Sequence, residues 1–281
     1  MLLHRISSLL CGMGLAVLAC KDWQGQTAEP VVRLFNGRDL TGWTTWLVDT
    51  RSEDQRQVFT VTNGVLRISG EGLGYLGTRE EYSDYRLRVE YRWGLTNWTW
   101  GDRVGKARDS GVFLHAIGPE GNSEDGKGAF KAAIECNVFE GATGDFLLIR
   151  GHDHDGTPLT PHLTAEVAPH RDAENWFTFL PRGRRQKLER WGRVNWRDKS
   201  AVWRDETGFR GARDVERPRG EWNRLEIECR DATIAVRLNG VLVNSASDVW
   251  PRRGRILLQC EGSEIFFRTV ELRPIGKEQG Q

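Results

Sequence analysis

The 281-residue sequence has almost no charge to spare: 40 Lys and Arg stand against 39 Asp and Glu, a formal net charge of +1. A surplus of one sign is what draws a chain to nucleic acid or to an acidic surface, so bulk charge points to neither partner. Cysteine is scarce. Beyond the first twenty residues there are only Cys136, Cys229 and Cys260, an odd number, with no zinc-ligand spacing. Each falls in phase with apolar neighbours (Ile134 and Val138, Leu225 and Ile227, Ile256 and Leu258), which reads as buried thiols, although a Cys229–Cys260 bridge stays open in an oxidising compartment. No long stretch carries a helical period. Nor is any apolar run long enough to span a bilayer comfortably.

The longest apolar run, residues 6–19, follows Arg5 and ends in "VLAC". A positive residue, a short apolar stretch and a small-residue end are the features of a secretory signal. The ending resembles a bacterial lipoprotein signal with Cys20 as the lipidated residue; ordinary cleavage nearby is the alternative. Residues 1–20 are therefore read as a signal peptide, with the protein exported to the periplasm or cell surface and touching membrane only through an anchor at Cys20.

What the sequence does have is period-2 alternation. "YRLRVEYRW" sets Tyr85, Leu87, Val89, Tyr91 and Trp93 against Arg86, Arg88, Glu90 and Arg92. "SGVFLHAI", "RLEIECR" and "GRILLQCEG" alternate in the same way, and "TIAVRLNGVLVN" reads as a hairpin turning at Asn239-Gly240, the dipeptide that a type I′ turn favours. Short strands between Gly, Asn and Asp turns predict an all-β sandwich. Residues 147–220 are rich in Arg, His, Asp and Pro and only weakly periodic, and are expected as long loops of the same domain. Twelve Trp are many. Most should pack the core, while Trp191, Trp196 and Trp203 are placed to edge a sugar cleft.

One strand breaks its own logic. In "KAAIECNVFEGATGDF" the apolar phase is Ala132, Ile134, Cys136 and Val138, leaving Glu135 and Asn137 on the other face, where an unpaired buried charge would be costly. His115 and Phe113 share the matching phase of their strand, and Gln259 and Glu261 that of theirs. Glu135, Asn137, His115, Gln259 and Glu261 are thus expected on one surface. "GHDHDG" brings His152 and His154 together with two Asp, a set able to ligate a divalent metal. Arg268 reads either as a sugar ligand or as half of a salt bridge, and Asp109 as a turn residue or a groove rim, with the turn favoured.

Several strings resemble, in order, the 3-keto-disaccharide hydrolase family: "LFNGRDLTGW", "FTVTNGVLRISG", "GYLGTREEYSDYRLRVEYRW", "DSGVFLH", "IECNVFEGATGDF", "GEWNRLEIEC", "VRLNGVLVN" and "ILLQCEGSEIFFRTVELRPI". The similarity covers residues 31–275. It implies a concanavalin A-like lectin/glucanase jelly roll of two curved antiparallel sheets, a site on the concave face, and cleavage of glycosides oxidised to a ketone at C3. That chemistry calls for a base, an acid and an electrophile. Glu135 and His115 are the candidates for base or metal ligand, Glu261 for acid or ligand, and Asn137 and Gln259 for substrate hydrogen bonds. A divalent metal is the one cofactor expected. The string from Glu135 to Glu140 also looks like the E-x-D-x-x-E signature of family 16 glucanases, with Asn137 in place of Asp. A bulge near Val138-Phe139 would bring Glu140 onto the groove face. The function classes left standing are a 3-keto-glycoside-cleaving enzyme, a carbohydrate-binding module without chemistry, and a retaining glucanase.

Overall fold

The computed structural model describes residues 30–97 and 103–276. The signal segment 1–20 and its Cys20 lie outside the described residues. One sheet runs, in spatial order, β14 (Arg184–Glu189), β12 (His162–Val167), β18 (Val241–Trp250), β17 (Thr233–Leu238), β16 (Asn223–Arg230), β6 (Tyr85–Asn97), β20 (Ser263–Pro274), β4 (Val65–Ile68) and β3 (Phe59–Thr62). A short β1 (Val32–Arg33) also pairs with β20. The facing sheet runs β13 (Phe177–Thr178), β15 (Arg193–Asn195), β9 (Phe146–Ile149), β8 (Ala132–Phe139), β7 (Asp109–Ile117), β19 (Arg255–Glu261), β5 (Leu73–Thr78) and β2 (Trp43–Leu47). A separate hairpin joins β10 (Gly151–His152) to β11 (Pro158–Leu159). The β13–β15 pair is parallel and the other pairings are antiparallel. No α-helix occurs among the described residues. The architecture is the expected all-β sandwich of two sheets.

Alternation explains the core. Tyr85, Leu87, Val89 and Tyr91 of β6 pack inward against Val112 and Leu114 of β7, Ile134 and Cys136 of β8, and Ile256, Leu258 and Cys260 of β19. Side chains of this size contribute about 1.5–3 kcal/mol each when fully removed from water. The three thiols are buried and free, so no Cys229–Cys260 bridge forms. Asn239 and Gly240 both have positive φ, 50° and 87°, the backbone that the tight β17–β18 turn demands.

Residues 147–220 depart from expectation. They are not loops throughout: β10 to β15 lie there, with most of β9, and the longest stretch without a strand is 196–222. The Arg-rich run is β14, an edge strand paired on one side with β12. Its exposed Arg184, Arg185, Lys187 and Glu189 obscured the period, and such charges keep an open edge from recruiting another strand.

The outer face of the eight-stranded sheet is also covered. A second apolar cluster gathers Tyr75, Phe113, Ala116, Ala133, Ile149 and Leu257. The segment that covers it is tied down by Glu120, which pairs with Tyr75 Oη and the Arg255 guanidinium. With both faces of β7, β8 and β19 buried, one phase serves the core and the other this outer layer.

His115 is not in that outer layer. The β7–β8 register shifts between Leu114 and Ile117, and the β19–β7 register between Arg255 and Leu257. At this bulge His115 takes φ 54°, so one extra residue is spent. Phe113 and Ala116 both stay outside while His115 turns into the sandwich. Its ring lies edge-on to Tyr85, centroids 5.6 Å apart, and Nδ1 is 2.9 Å from Pro251 O. A carbonyl can only accept, so Nδ1 carries the proton; Nε2 is buried without a partner. The expectation that His115 shares the groove face with Glu135 is thereby corrected. Gly254 completes the bulge, since a Cβ there would stand 2.4 Å from the His115 carbonyl carbon.

Burial pushes the His115 imidazole down to about 4, against a raising contribution from the Pro251 carbonyl. Above pH 6.5 the ring is neutral both folded and unfolded; below it the unfolded chain takes up the proton first, so folding loses stability as pH falls toward 4. Urea unfolding of the parent and of His115→Phe should show the parent's advantage shrinking by about 3 kcal/mol between pH 7 and pH 4. A constant difference would mean that His115 titrates normally.

Candidate active site

Past the outer apolar cluster, the same face turns polar. β8 presents Glu135, Asn137 and Phe139, and β7 presents Asp109, Gly111 and Phe113, with Glu135 opposite Phe113 and Asn137 opposite Gly111. On β19, Gln259 and Glu261 continue the phase of Leu257, paired with Tyr75 and Leu73 of β5. These strands form the floor of a groove of about 390 Å³. Gly111 is essential to its shape. A Cβ there would lie 2.4 Å from Glu135 Oε1 and 2.9 Å from Gln259 Oε1, so both side-chain ends converge over the one floor position that has no side chain.

That convergence locates a proton. Gln259 Nε2 donates to Glu261 Oε2 at 2.8 Å, which fixes the amide with Oε1 over Gly111, buried and without a donor. Glu135 Oε1 converges on the same point, where a carboxylic acid, unlike a carboxylate, is able to donate. The electrostatics agree. Burial holds the Glu135 carboxyl far above the ordinary range, the charges of Asp109 and Glu261 push the same way, and Arg193 opposes them. Burial and the Glu261 charge raise Asp109 as well, against Arg103. Three carboxylates in so dry a place do not all ionise.

Two guanidinium groups balance the rest. Arg103 lies 3.3 Å from Asp109. Arg193 reaches the groove from β15, held by Asp145 Oδ2 at 2.9 Å to Nε and 2.6 Å to Nη2. Asp145 is fully buried and also accepts the Trp196 backbone N–H at 2.6 Å. Trp176, Trp191 and Trp203 stand along the walls. Trp203 is steadied by its indole N–H on Glu140 O at 3.0 Å. Trp196, expected with them, is instead buried and donates to Gly141 O.

The structure therefore brings together Glu135, Asn137, Gln259 and Glu261, and leaves the other expected site residues elsewhere. His115 is inside the sandwich. Glu140 misses the groove because the β7–β8 register runs unbroken from Asp109–Phe139 to Leu114–Ile134, with no bulge at Val138-Phe139. Its carboxylate instead pairs with Arg108 at 2.6 Å and accepts the Gly208 N–H at 2.9 Å. Arg268 lies on β20 of the other sheet, pairing with Glu90 at 2.9 Å and capping the Trp222 ring at 4.7 Å. His152 contacts Glu124 Oε1 at 2.7 Å while His154 is exposed in the β10–β11 turn. Among the described residues no group of three or more His, Cys, Asp or Glu is arranged to hold a metal ion.

Four groove residues escaped the sequence reading. Asp109 was legible, since it shares the phase of Gly111 and Phe113, but the turn reading was preferred. Arg103, Trp176 and Arg193 lie on loops or on a three-residue strand too short to show a period.

The family model of the 3-keto-alpha-glucoside-1,2-lyase-like domain matches residues 30–273. Among solved structures, the chain is similar to a Parabacteroides distasonis ATCC 8503 protein provisionally described as a glycosyl hydrolase (16% identity, 88% of this chain and 94% of that one, TM-score 0.48). It is also similar to the carbohydrate-binding module CBM66 from Bacillus subtilis (13%, 83% and 95%, 0.40) and to a Bacillus licheniformis β-glucanase (10%, 88% and 98%, 0.41). No curated protein matches the chain.

The proton on Glu135 is directly observable. At pH 7 the infrared spectrum should contain a carboxylic-acid C=O stretch that disappears in Glu135→Gln and shifts in Gly111→Ala, whose added methyl displaces the carboxyl. A spectrum without that band would place an ionised carboxylate there.

Proposed function

Because the chain belongs to the 3-keto-alpha-glucoside-1,2-lyase-like family, we propose that it is a carbohydrate-active enzyme whose groove binds a sugar already oxidised to a ketone at C3 and cleaves its glycosidic bond by elimination. The observation that carries this reading is the meeting in one groove of Glu135, whose carboxyl burial holds far above the ordinary range, with Glu261 and the Arg193 guanidinium.

The C3 ketone acidifies the C2–H bond. Glu261, oriented by the Gln259 amide, takes that proton, and the electron pair forms the enolate. Arg193, already anchored by Asp145, meets the charge that develops on the enolate oxygen. The pair then closes a C1–C2 double bond as the C1–O bond breaks, and Glu135 delivers its proton to the departing oxygen. Addition of water across the new double bond turns elimination into net hydrolysis. Desolvation assists twice, by keeping Glu135 protonated and by strengthening each charge interaction in the groove.

A divalent cation is the alternative electrophile. Asn137 Oδ1, a buried acceptor oxygen without a donor, offers with the carboxylates the hard oxygen chemistry such an ion takes. Bound there, it would polarise the enolate oxygen. The glucanase reading loses its second carboxylate, since Glu140 is held by Arg108 outside the groove. Within the same proposal, the signal-like residues 1–20 support export to the periplasm or cell surface, through either lipidation at Cys20 or ordinary cleavage nearby.

The purified protein should release the leaving group from a 3-keto-glucoside and leave the unoxidised parent glucoside intact. Glu135→Gln should lower kcat by about 10²–10⁴-fold, and loss of rate on chelation would identify the electrophile as a metal. Turnover of the parent glucoside would overturn the elimination reading; saturable binding without turnover of either sugar would make the protein a binding module.

A further inference from the structure

A second cavity, about 220 Å³, opens beside the groove and shares two of its residues, Trp176 and Arg193. Its other walls include Arg171, Phe177, Gln186, Lys187 and one carboxylate, Glu189. Trp176 thus stands between two adjoining compartments, where an indole offers a stacking face to a ring.

The segment that carries Trp176 is firmly built. Asp172 Oδ1 accepts the Trp176 backbone N–H at 2.8 Å, Asp172 N donates to Trp176 O at 2.9 Å, and Asp172 Oδ2 accepts Asn195 Nδ2 at 2.6 Å. Arg171 is fixed as well, donating to Asn175 O at 2.8 Å with its guanidinium 3.9 Å above the Phe177 ring.

Charge in this compartment is unbalanced. Arg193 is matched by Asp145. Lys187 pairs with Glu189 at 2.7 Å, but both are more than half exposed, and such a pair is easily exchanged for another partner. Among the described residues Arg171 forms no ion pair, although it is held by its backbone and ring contacts. A preorganised guanidinium without a carboxylate beside an aromatic wall recognises an anionic group attached to a ring.

We infer that this compartment is the leaving-group subsite and that it selects an anionic leaving group, with Arg171 as the specificity-determining residue and Trp176 as the partition on which the ring stacks. This rests on the groove being the site of glycoside cleavage. The anionic ring has two sources, an aromatic acid or an acidic sugar, and the substrates below separate them.

The test compares 3-keto-glucosides whose leaving groups are phenol, 4-hydroxybenzoate and glucuronate. With the parent protein, at least one anionic leaving group should show kcat/KM roughly tenfold above phenol, mostly through KM, and the advantage should fade as salt is raised. An advantage for 4-hydroxybenzoate alone names an aromatic acid, and one for glucuronate alone an acidic sugar. Arg171→Ala should reduce the advantage to near unity. Arg185→Ala, which removes an exposed charge paired with Asp248 outside the cavity, should keep it. Equal rates for all three leaving groups, or an advantage that survives Arg171→Ala, overturns the assignment. Should no 3-keto-glucoside be cleaved, the elimination reading alone has failed. Calorimetric binding of 4-carboxyphenyl and phenyl glucosides to the parent and to Arg171→Ala then decides the subsite by the same ratio.

Discussion

The groove depends on three adjacent strands having no face in open water. β7, β8 and β19 press one side-chain phase into the inter-sheet core and the other into a second layer over the outer face. In most antiparallel sheets the outer phase is solvated and its polar residues say little. Here most of the outer phase is buried, so each carboxylate on it has to be accounted for by a proton, a cation or a ligand. Glu135, Asp109 and Glu261 draw on the first two: carboxyls held toward the protonated form, and the guanidinium groups of Arg103 and Arg193.

The cations come from outside those strands, and the placement of Arg193 depends in turn on one fully buried carboxylate. Asp145 sits in the turn after β8 and holds both Arg193 and the backbone of Trp196. The edge of the second sheet is thereby locked to the strand that carries Glu135. A charge in the groove and the folding of residues 193–196 are consequences of the same bonds. Removing one partner of so buried a pair costs far more than the pair's net worth, because the other is left charged and unmatched.

How much of this was legible follows from what period-2 reasoning can see. It reports which face a residue takes as long as the ladder is regular. Glu135, Asn137, Gln259 and Glu261 lie on regular stretches, and their common face was readable from the sequence. His115 lies one residue into a bulge, where the count slips and the face inverts; nothing in "SGVFLHAI" marks the slip, which goes with the close approach of Gly254, just before β19. Glu140 failed in the opposite sense, because a bulge was expected where the register is unbroken. Arg193, Trp176 and Arg103 belong to segments too short for any period, and only the folding of residues 147–220 against the sheet brings the first two to the groove.

The three thiols carry a consequence for the life of the chain before it folds. Burial raises each of them, Cys229 to about 12, so in the finished sandwich they are inert to thiol exchange. Cys136, Cys229 and Cys260 come from three different strands, and the last closes only when the end of the chain pairs. Until then all three are open to oxidants, and a premature bond between any two would pin strands at the wrong separation. In an oxidising compartment the assembly of the two sheets is therefore a race against disulfide formation, and the sandwich shields its thiols only after it has won.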